Sequence, residues 1–435
     1  MIEVGSICVW RWTVAAALLW APAAVPAAAA PSQEAARRAI EAVAEQLCPD
    51  GLEDTEALER QLPGYALTDV EDAGPSANWL RREIRLVAST ADLAVVATGL
   101  QPGGALRRLD IEVRALGDDR PLMLALADGM CRILQARALR YGNGRATTLL
   151  LLASDMQTVV GEEPLDPAVP PGEDATGVTV ALVDSGVNYL LPQIAARLAR
   201  DPEGEILGYD FWDLDPRPFD GDTGRSEFFP IRHGSEVASR LLAEAPDVRL
   251  VPFRYPRPDM TRMDEVVARA AEAGAIIVAL PLGSRNPDDW SAFAAAAKIH
   301  ADILFIASAG NDGRDIDAMP VYPAALPLDN VIVVTSAEDD GRLARGSNWG
   351  AVSVDLLVPA ENLAVTGFHG NPVRGSGSSF AVPRVAALAA RLQAAHPGWR
   401  AAELKAAIFA RAEPPPQAPG TVAVGWLPEA VLQAD

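Results

Sequence analysis

Gly377-Ser378-Ser379-Phe380-Ala381-Val382-Pro383 stands directly ahead of an alanine-rich stretch of helical character. This places a hydroxyl nucleophile, Ser379, at a helix N-terminus, where the first backbone N–H groups lack intrahelical acceptors and the helix dipole is positive. Such N–H groups stabilise the oxyanion that forms when a serine attacks a carbonyl. Small neighbours at Gly377, Ser378 and Ala381 admit a substrate backbone. Pro383 is expected in the first helical turn, where its missing N–H is no loss. By composition alone, Gly375 to Ser379 also suits a flexible linker. The reading therefore turns on whether a base and an orienting acid stand elsewhere.

A serine nucleophile needs an imidazole to take its proton, and the chain has four histidines: His233, His300, His369 and His396. His300 reads as a helix-end residue, His396 as a helix C-terminal residue stopped by Pro397-Gly398, and His369 as part of a Gly-flanked loop. His233 opens a second helical pattern, with Val237, Ala238, Leu241 and Leu242 on its apolar side. The acid is Asp184, at the end of the apolar run Val178 to Val183 and followed by Ser185-Gly186. Such a run predicts a buried parallel strand, and ligands of parallel sheets bind at the carboxyl ends of the strands. Asp-Ser-Gly on its own would equally suit a strand-ending turn.

With these residues in the order Asp184, His233, Ser379, the chain resembles the subtilisin-like serine proteases over roughly residues 176 to 432. Val180 to Gly186 is similar to the family's aspartate block, His233 to Ala238 to its histidine block, and Gly377 to Pro383 to its serine block. Ala307 to Gly313 is similar to the segment whose asparagine donates an amide to the oxyanion, which makes Asn311 that donor by resemblance. Lesser matches are Gly208 to Asp213, Tyr322 to Ala325 and Ser347 to Gly350. The resemblance implies a serine endopeptidase acting on protein or peptide substrates through an acyl-enzyme. It also implies substrate contacts at Leu280, Leu282, Gly283, Ala309 and Gly310. Glu236 stands where many members have a second histidine, Ser239 and Ala360 replace common glycines, and Pro281 replaces a frequent serine on the substrate-pairing strand. Proline keeps its carbonyl there but gives up a donor. Two other readings stay open: a peptide-binding scaffold of the same fold with impaired catalysis, and a serine esterase with a nucleophile elbow. The esterase fold needs its acid and histidine after the serine, where only His396 qualifies.

At 435 residues the chain has room for a leader and two domains. A net charge of −21 and a pI near 4.6 exclude the basic face that nucleic-acid binding requires. Arg11, the apolar run Val14 to Trp20, and Ala27 to Ala30 predict a signal peptide over 1–29 and a secreted or periplasmic product with no membrane span once it is cleaved. An N-terminal membrane anchor is the other reading of that stretch. Removing the leader takes Cys8 away and leaves Cys48 and Cys131, to be read as one disulfide in an oxidising compartment or as two buried thiols. No metal site is expected of that pair.

Residues 30–158 lie outside the resemblance and are expected to form a small α+β domain, either an intramolecular inhibitor of the propeptide kind or an accessory module. Helical spacing of Ala36, Ile40, Val43 and Leu47 predicts a helix over 33–47. Strands are expected over 82–87, 93–98, 109–113 and 147–152, and a helix over 128–139. Residues 159–177, with four prolines and five acids between 162 and 174, are expected to be an exposed linker. From 178 to 435, alternating strand-like and helical runs predict an α/β fold, a mainly parallel sheet with helices on both faces. The acidic segment Asp210 to Asp222 lacks EF-hand spacing and is expected to be a solvated loop. No cofactor is expected; structural calcium, frequent in the family, has no assignable site.

Overall fold

The computed structural model describes residues 32–48, 52–74, 79–88, 90–417 and 420–433. The expected signal peptide lies outside them. Among them, no helix is long and apolar enough to cross a membrane.

The N-terminal region begins with α1, Gln33–Leu47, capped by Ser32 Oγ on the N–H of Ala35 at 3.1 Å. After α2, Thr55–Gln61, comes an antiparallel meander in sequence order. Its strands are β1 Ala66–Ala73, β2 Arg81–Ala88, β3 Leu93–Leu100, β4 Arg108–Ala115, β5 Pro121–Asp128, β6 Ile133–Gly142, β7 Arg145–Leu152 and β8 Val159–Pro164. Ala36, Ile40, Val43 and Leu47 are all buried against one face of this sheet, with Val95, Ile111, Val113 and Ala125 among their neighbours. Cys48 and Cys131 are joined across that core as a disulfide, Cα to Cα 6.1 Å.

Two expectations give way here. The helix over 128–139 is instead a turn and strand β6: Asp128 Oδ1 accepts from the N–H groups of Met130 and Arg132, and Ala136 and Ala138 alternate into the core with period two. The exposed linker is instead fixed to the protein. Residues 159–164 are the edge strand β8, paired with β7. Beyond it, Asp166 pairs with Arg217 (2.8 Å), Pro167 O accepts from Tyr189 (2.6 Å), and Pro170 O accepts from Arg200 (2.8 Å). Further along, Asp174 accepts from Arg249 (2.8 Å).

The second half is a parallel sheet whose strands are β9 Thr179–Asp184, β10 Tyr209–Asp210, β11 Arg249–Arg254, β12 Ile277–Leu280, β13 Leu304–Ser308, β14 Val331–Ala337, β15 Leu356–Pro359 and the late β18 Gly425–Trp426. They lie in the order β10-β11-β9-β12-β13-β14-β15-β18, with a separate hairpin of β16 Leu363–Thr366 and β17 Pro372–Gly375. Its central strands are buried on both faces, which is why they read as unbroken apolar runs. One face is covered by α3 Pro192–Ala195, α4 Gly234–Glu244, α7 Ser378–Ala395, α8 Ala401–Phe409 and α9 Glu429–Gln433; the other by α5 Met263–Glu272 and α6 Ser291–Ile299. The fold is thus α/β, preceded by the antiparallel domain.

Candidate active site

Strand β9 carries Asp184 to the carboxyl end of the sheet, and α4 starts immediately after His233. Gly234 permits the approach: a Cβ there would lie 1.9 Å from Gly186 O and 3.1 Å from Asp184 Cβ. His233 Nδ1 consequently sits 2.8 and 2.9 Å from the two oxygens of Asp184. Burial pulls the His233 pKa down, but the Asp184 carboxylate, with Asp220 and Glu236 beyond it, outweighs burial and lifts it to about 9. Burial likewise raises the pKa of Glu236, opposed by the charge of His233.

Ser379 lies in the first turn of α7, and the ring of the next residue, Phe380, meets the His233 ring edge-on at 5.8 Å. The Ser379 hydroxyl donates to Pro281 O at 3.2 Å rather than to His233. Catalytic hydrogen bonds of empty sites are often loose, and a χ1 rotation changes the partner. Because α7 begins at Ser378, Pro383 is its sixth residue, not part of the first turn as expected. Its missing N–H leaves the Ser379 carbonyl without the usual i→i−4 donor.

Asn311 approaches from the loop after β13. Its Oδ1 accepts from both the N–H and the hydroxyl of Ser378, each at 2.9 Å, which fixes the amide. Gly377 has φ +109°, and a Cβ there would press on Asn311 at 3.0 Å. Asn348 is wholly buried and holds the same loop: its Oδ1 accepts from the N–H groups of Asp312 and Arg314, and its Nδ2 donates to Ala309 O.

The pocket residues divide. Leu282, Gly283 and Gly310 have accessible surface, whereas Leu280 and Ala309 are completely buried in the core under the sheet. The Ala309 backbone is itself engaged, its N–H on Val334 O and its carbonyl on Asn348 Nδ2, so the expected lining is corrected to its accessible part, Leu282, Gly283 and Gly310. His300 and His396 terminate α6 and α7, His396 stacked on Trp399 at 3.9 Å, and the exposed His369 lies 3.6 Å from Glu163. Only His233 is joined to Asp184, and His396 is spent at a helix end, which removes support from the esterase reading.

Asp220 was missed. It belongs to the segment expected to be solvated, yet it is wholly buried, as is Asp210, which pairs with Arg254 at 3.0 Å. Ser185 Oγ donates to Asp220 at 2.6 Å and accepts from the N–H groups of His233 and Gly234, while Ser235 N–H donates to the other Asp220 oxygen at 2.8 Å. Burial raises the Asp220 pKa, opposed by these bonds. Phe219 beside it, an apolar residue within an acidic run, was the available signal. A cavity of about 670 Å³ lies at the opposite ends of the strands, lined by Thr179, Glu244 and Gln393. It is remote from this chemistry.

The chain belongs to the subtilase family, whose sequence profile matches residues 175–425. It is 28% identical over 248 residues to the thermophilic serine proteinase of Bacillus sp. (strain AK1), covering 54% of this chain and 56% of that protein. Over 100 residues it is 40% identical to the cuticle-degrading protease of Metarhizium anisopliae, covering 23% of this chain and 24% of that one. A crystal structure of a cold adapted subtilisin-like serine proteinase aligns at 25% identity and a TM-score of 0.48, over 61% of this chain and 93% of that one. The chain spans about half the length, or less, of these two curated relatives.

Proposed function

We propose that this chain is a serine endopeptidase that hydrolyses peptide bonds in protein or peptide substrates through an acyl-enzyme. The observation that carries this is the seating of His233 Nδ1 on Asp184 beside the helix start that bears Ser379. Ser379 turns from Pro281 O to His233 Nε2, gives up its proton and attacks the substrate carbonyl. His233 then protonates the leaving amine, and water repeats the sequence to release the acid. Asp184 holds the imidazole tautomer and balances its charge, while Asn311 Nδ2 and the Ser379 N–H take the oxyanion. Extended substrate backbone runs beside Leu282, Gly283 and Gly310. An exported location is supported by the Cys48–Cys131 bridge and by a matching Bacillus subtilis protein named as a minor extracellular protease.

The test compares wild type with Ser379→Ala on an unfolded protein substrate. The wild type should cut it and the variant should fall to the buffer background. Undiminished cleavage by the folded variant would remove the assignment.

A further inference from the structure

The segment from Asp213 to Arg232 leads directly into His233, and the antiparallel domain grips it at several points. Phe228 is wholly buried in a socket of Leu124, Leu126, Leu139 and Leu149 on the sheet face opposite α1. Around it, Arg137 donates to Phe228 O (2.8 Å), Arg114 pairs with Glu227 (3.1 Å), and Arg145 donates to Asp213 O (2.7 Å). Nearest the chemistry is Arg232. Its guanidinium lies 4.0 Å over the Phe368 ring, bonds Asp220 O, and takes Glu163 of β8 as counter-ion at 3.3 Å. Its side chain is 12% exposed and that of Glu163 16%, so water does little of the work of balancing the charge. The relay is continuous: Glu163 holds Arg232, Arg232 holds the Asp220 backbone, and the Asp220 carboxylate holds Ser185, which receives the N–H groups of His233 and Gly234.

A blocking pro-segment would lay its C-terminal end in the cleft. Here the hydrogen bonds described for residues 165–177 lead instead past Tyr189 and Arg200 to the start of β9, and none involves Ser379, His233 or Asn311.

We propose that the N-terminal domain stays docked in the working enzyme and that Glu163, acting through Arg232, is a positioning residue for the catalytic histidine. The proposal rests on the serine peptidase reading above. Losing the Glu163 carboxylate removes the only side-chain hydrogen bond described for the Arg232 guanidinium and leaves Asp220 alone to balance its charge beside His233, and misplacement of about 1 Å at a reacting group costs on the order of 100-fold in rate.

The experiment uses full-length wild type, Glu163→Gln, Glu163→Asp and Glu162→Gln. Glu162 pairs with Arg140 at the exposed edge of the same strand and serves as the control. Kinetics on a chromogenic peptide, their pH profile and the rate of fluorophosphonate labelling are measured together, and the labelled wild-type species is weighed intact. Glu163→Gln should lower kcat and the labelling rate about 10- to 100-fold with KM little changed and the pH profile displaced. Glu163→Asp should recover part of the loss, Glu162→Gln should match wild type, and the labelled wild-type chain should retain residue 163. A folded Glu163→Gln with wild-type kcat and labelling would overturn the proposal. So would a fully active labelled chain that begins beyond residue 164, whatever the variants' folding. Wild type that does not label at all would instead count against the peptidase reading.

Discussion

At the scale of single residues, the site is three carboxylates gathered around one imidazole. Asp184, Asp220 and Glu236 all favour the charged ring and hold the His233 pKa near 9. A general base must be neutral to accept the Ser379 proton, so kcat/KM should rise with pH along a limb centred well above 6.5 and near 9. A stopped pH–rate series checks this; a limb centred at or below 7 would show that the ring is not so held. The same shift works oppositely on folding. A raised pKa stabilises the fold fully below about 6.5, and that contribution is lost as pH climbs through about 9. Asn311 is anchored by its oxygen on Ser378, which leaves its Nδ2 for the proposed role of donor to the oxyanion. Asn311→Ala should therefore lower kcat about 100- to 1,000-fold with little change in KM, the range a single such donor is worth in subtilisin. A change confined to KM would reject that role. Asp184, His233, Asn311 and Ser379 were picked out because each sits in a distinctive short block, and the structure seats His233 on Asp184 and Asn311 on Ser378, the neighbour of Ser379. Asp220 was not, because an isolated Asp in an acidic segment looks solvated until the burial of its neighbours is known.

Among the elements, α7 does two jobs: it presents Ser379 at its start and ties the sheet's helical layer together further on. Arg384, one residue past the proline, is completely buried, with Nε on Glu244 of α4 and Nη2 on Glu429 of α9, both at 2.7 Å, and Nη1 on Pro359 O at the end of β15 at 2.6 Å. Removing Arg384 leaves the buried Glu244 with Arg240 alone and takes the guanidinium donor from Pro359 O. Arg384→Met should therefore lower unfolding free energy by about 1–3 kcal/mol, read from denaturant titration. A loss below about 1 kcal/mol would mean that the three contacts are not coupled to the fold. Strands of the parallel sheet were legible as apolar runs because both faces are covered. The helix expected over 128–139 failed because alanines on a half-buried strand carry no β signal; Ala136 and Ala138 show their period only once the sheet exists.

For the whole molecule, the two halves meet through the stretch before the histidine, and the chain between them is held rather than loose. Proline and acid content marked residues 159–177 as an exposed connection, since composition reports what a segment is made of and not which arginines await it. Arg217, Arg200 and Arg249, distant in sequence, supply the partners of Asp166, Pro170 and Asp174. The α/β class was visible from strand–helix alternation, whereas the eight-stranded meander was only partly so, β1, β5 and β8 having been overlooked and β6 read as a helix. In the proposed mechanism one hydroxyl, that of Ser379 at the start of α7, performs the chemistry. Full-length protein treated with a fluorophosphonate, digested and mapped by mass spectrometry tests it directly. A single adduct on Ser379 is expected, abolished in Asp184→Asn or His233→Ala at matched exposure. An adduct on any other residue, or none on folded wild type, would contradict it.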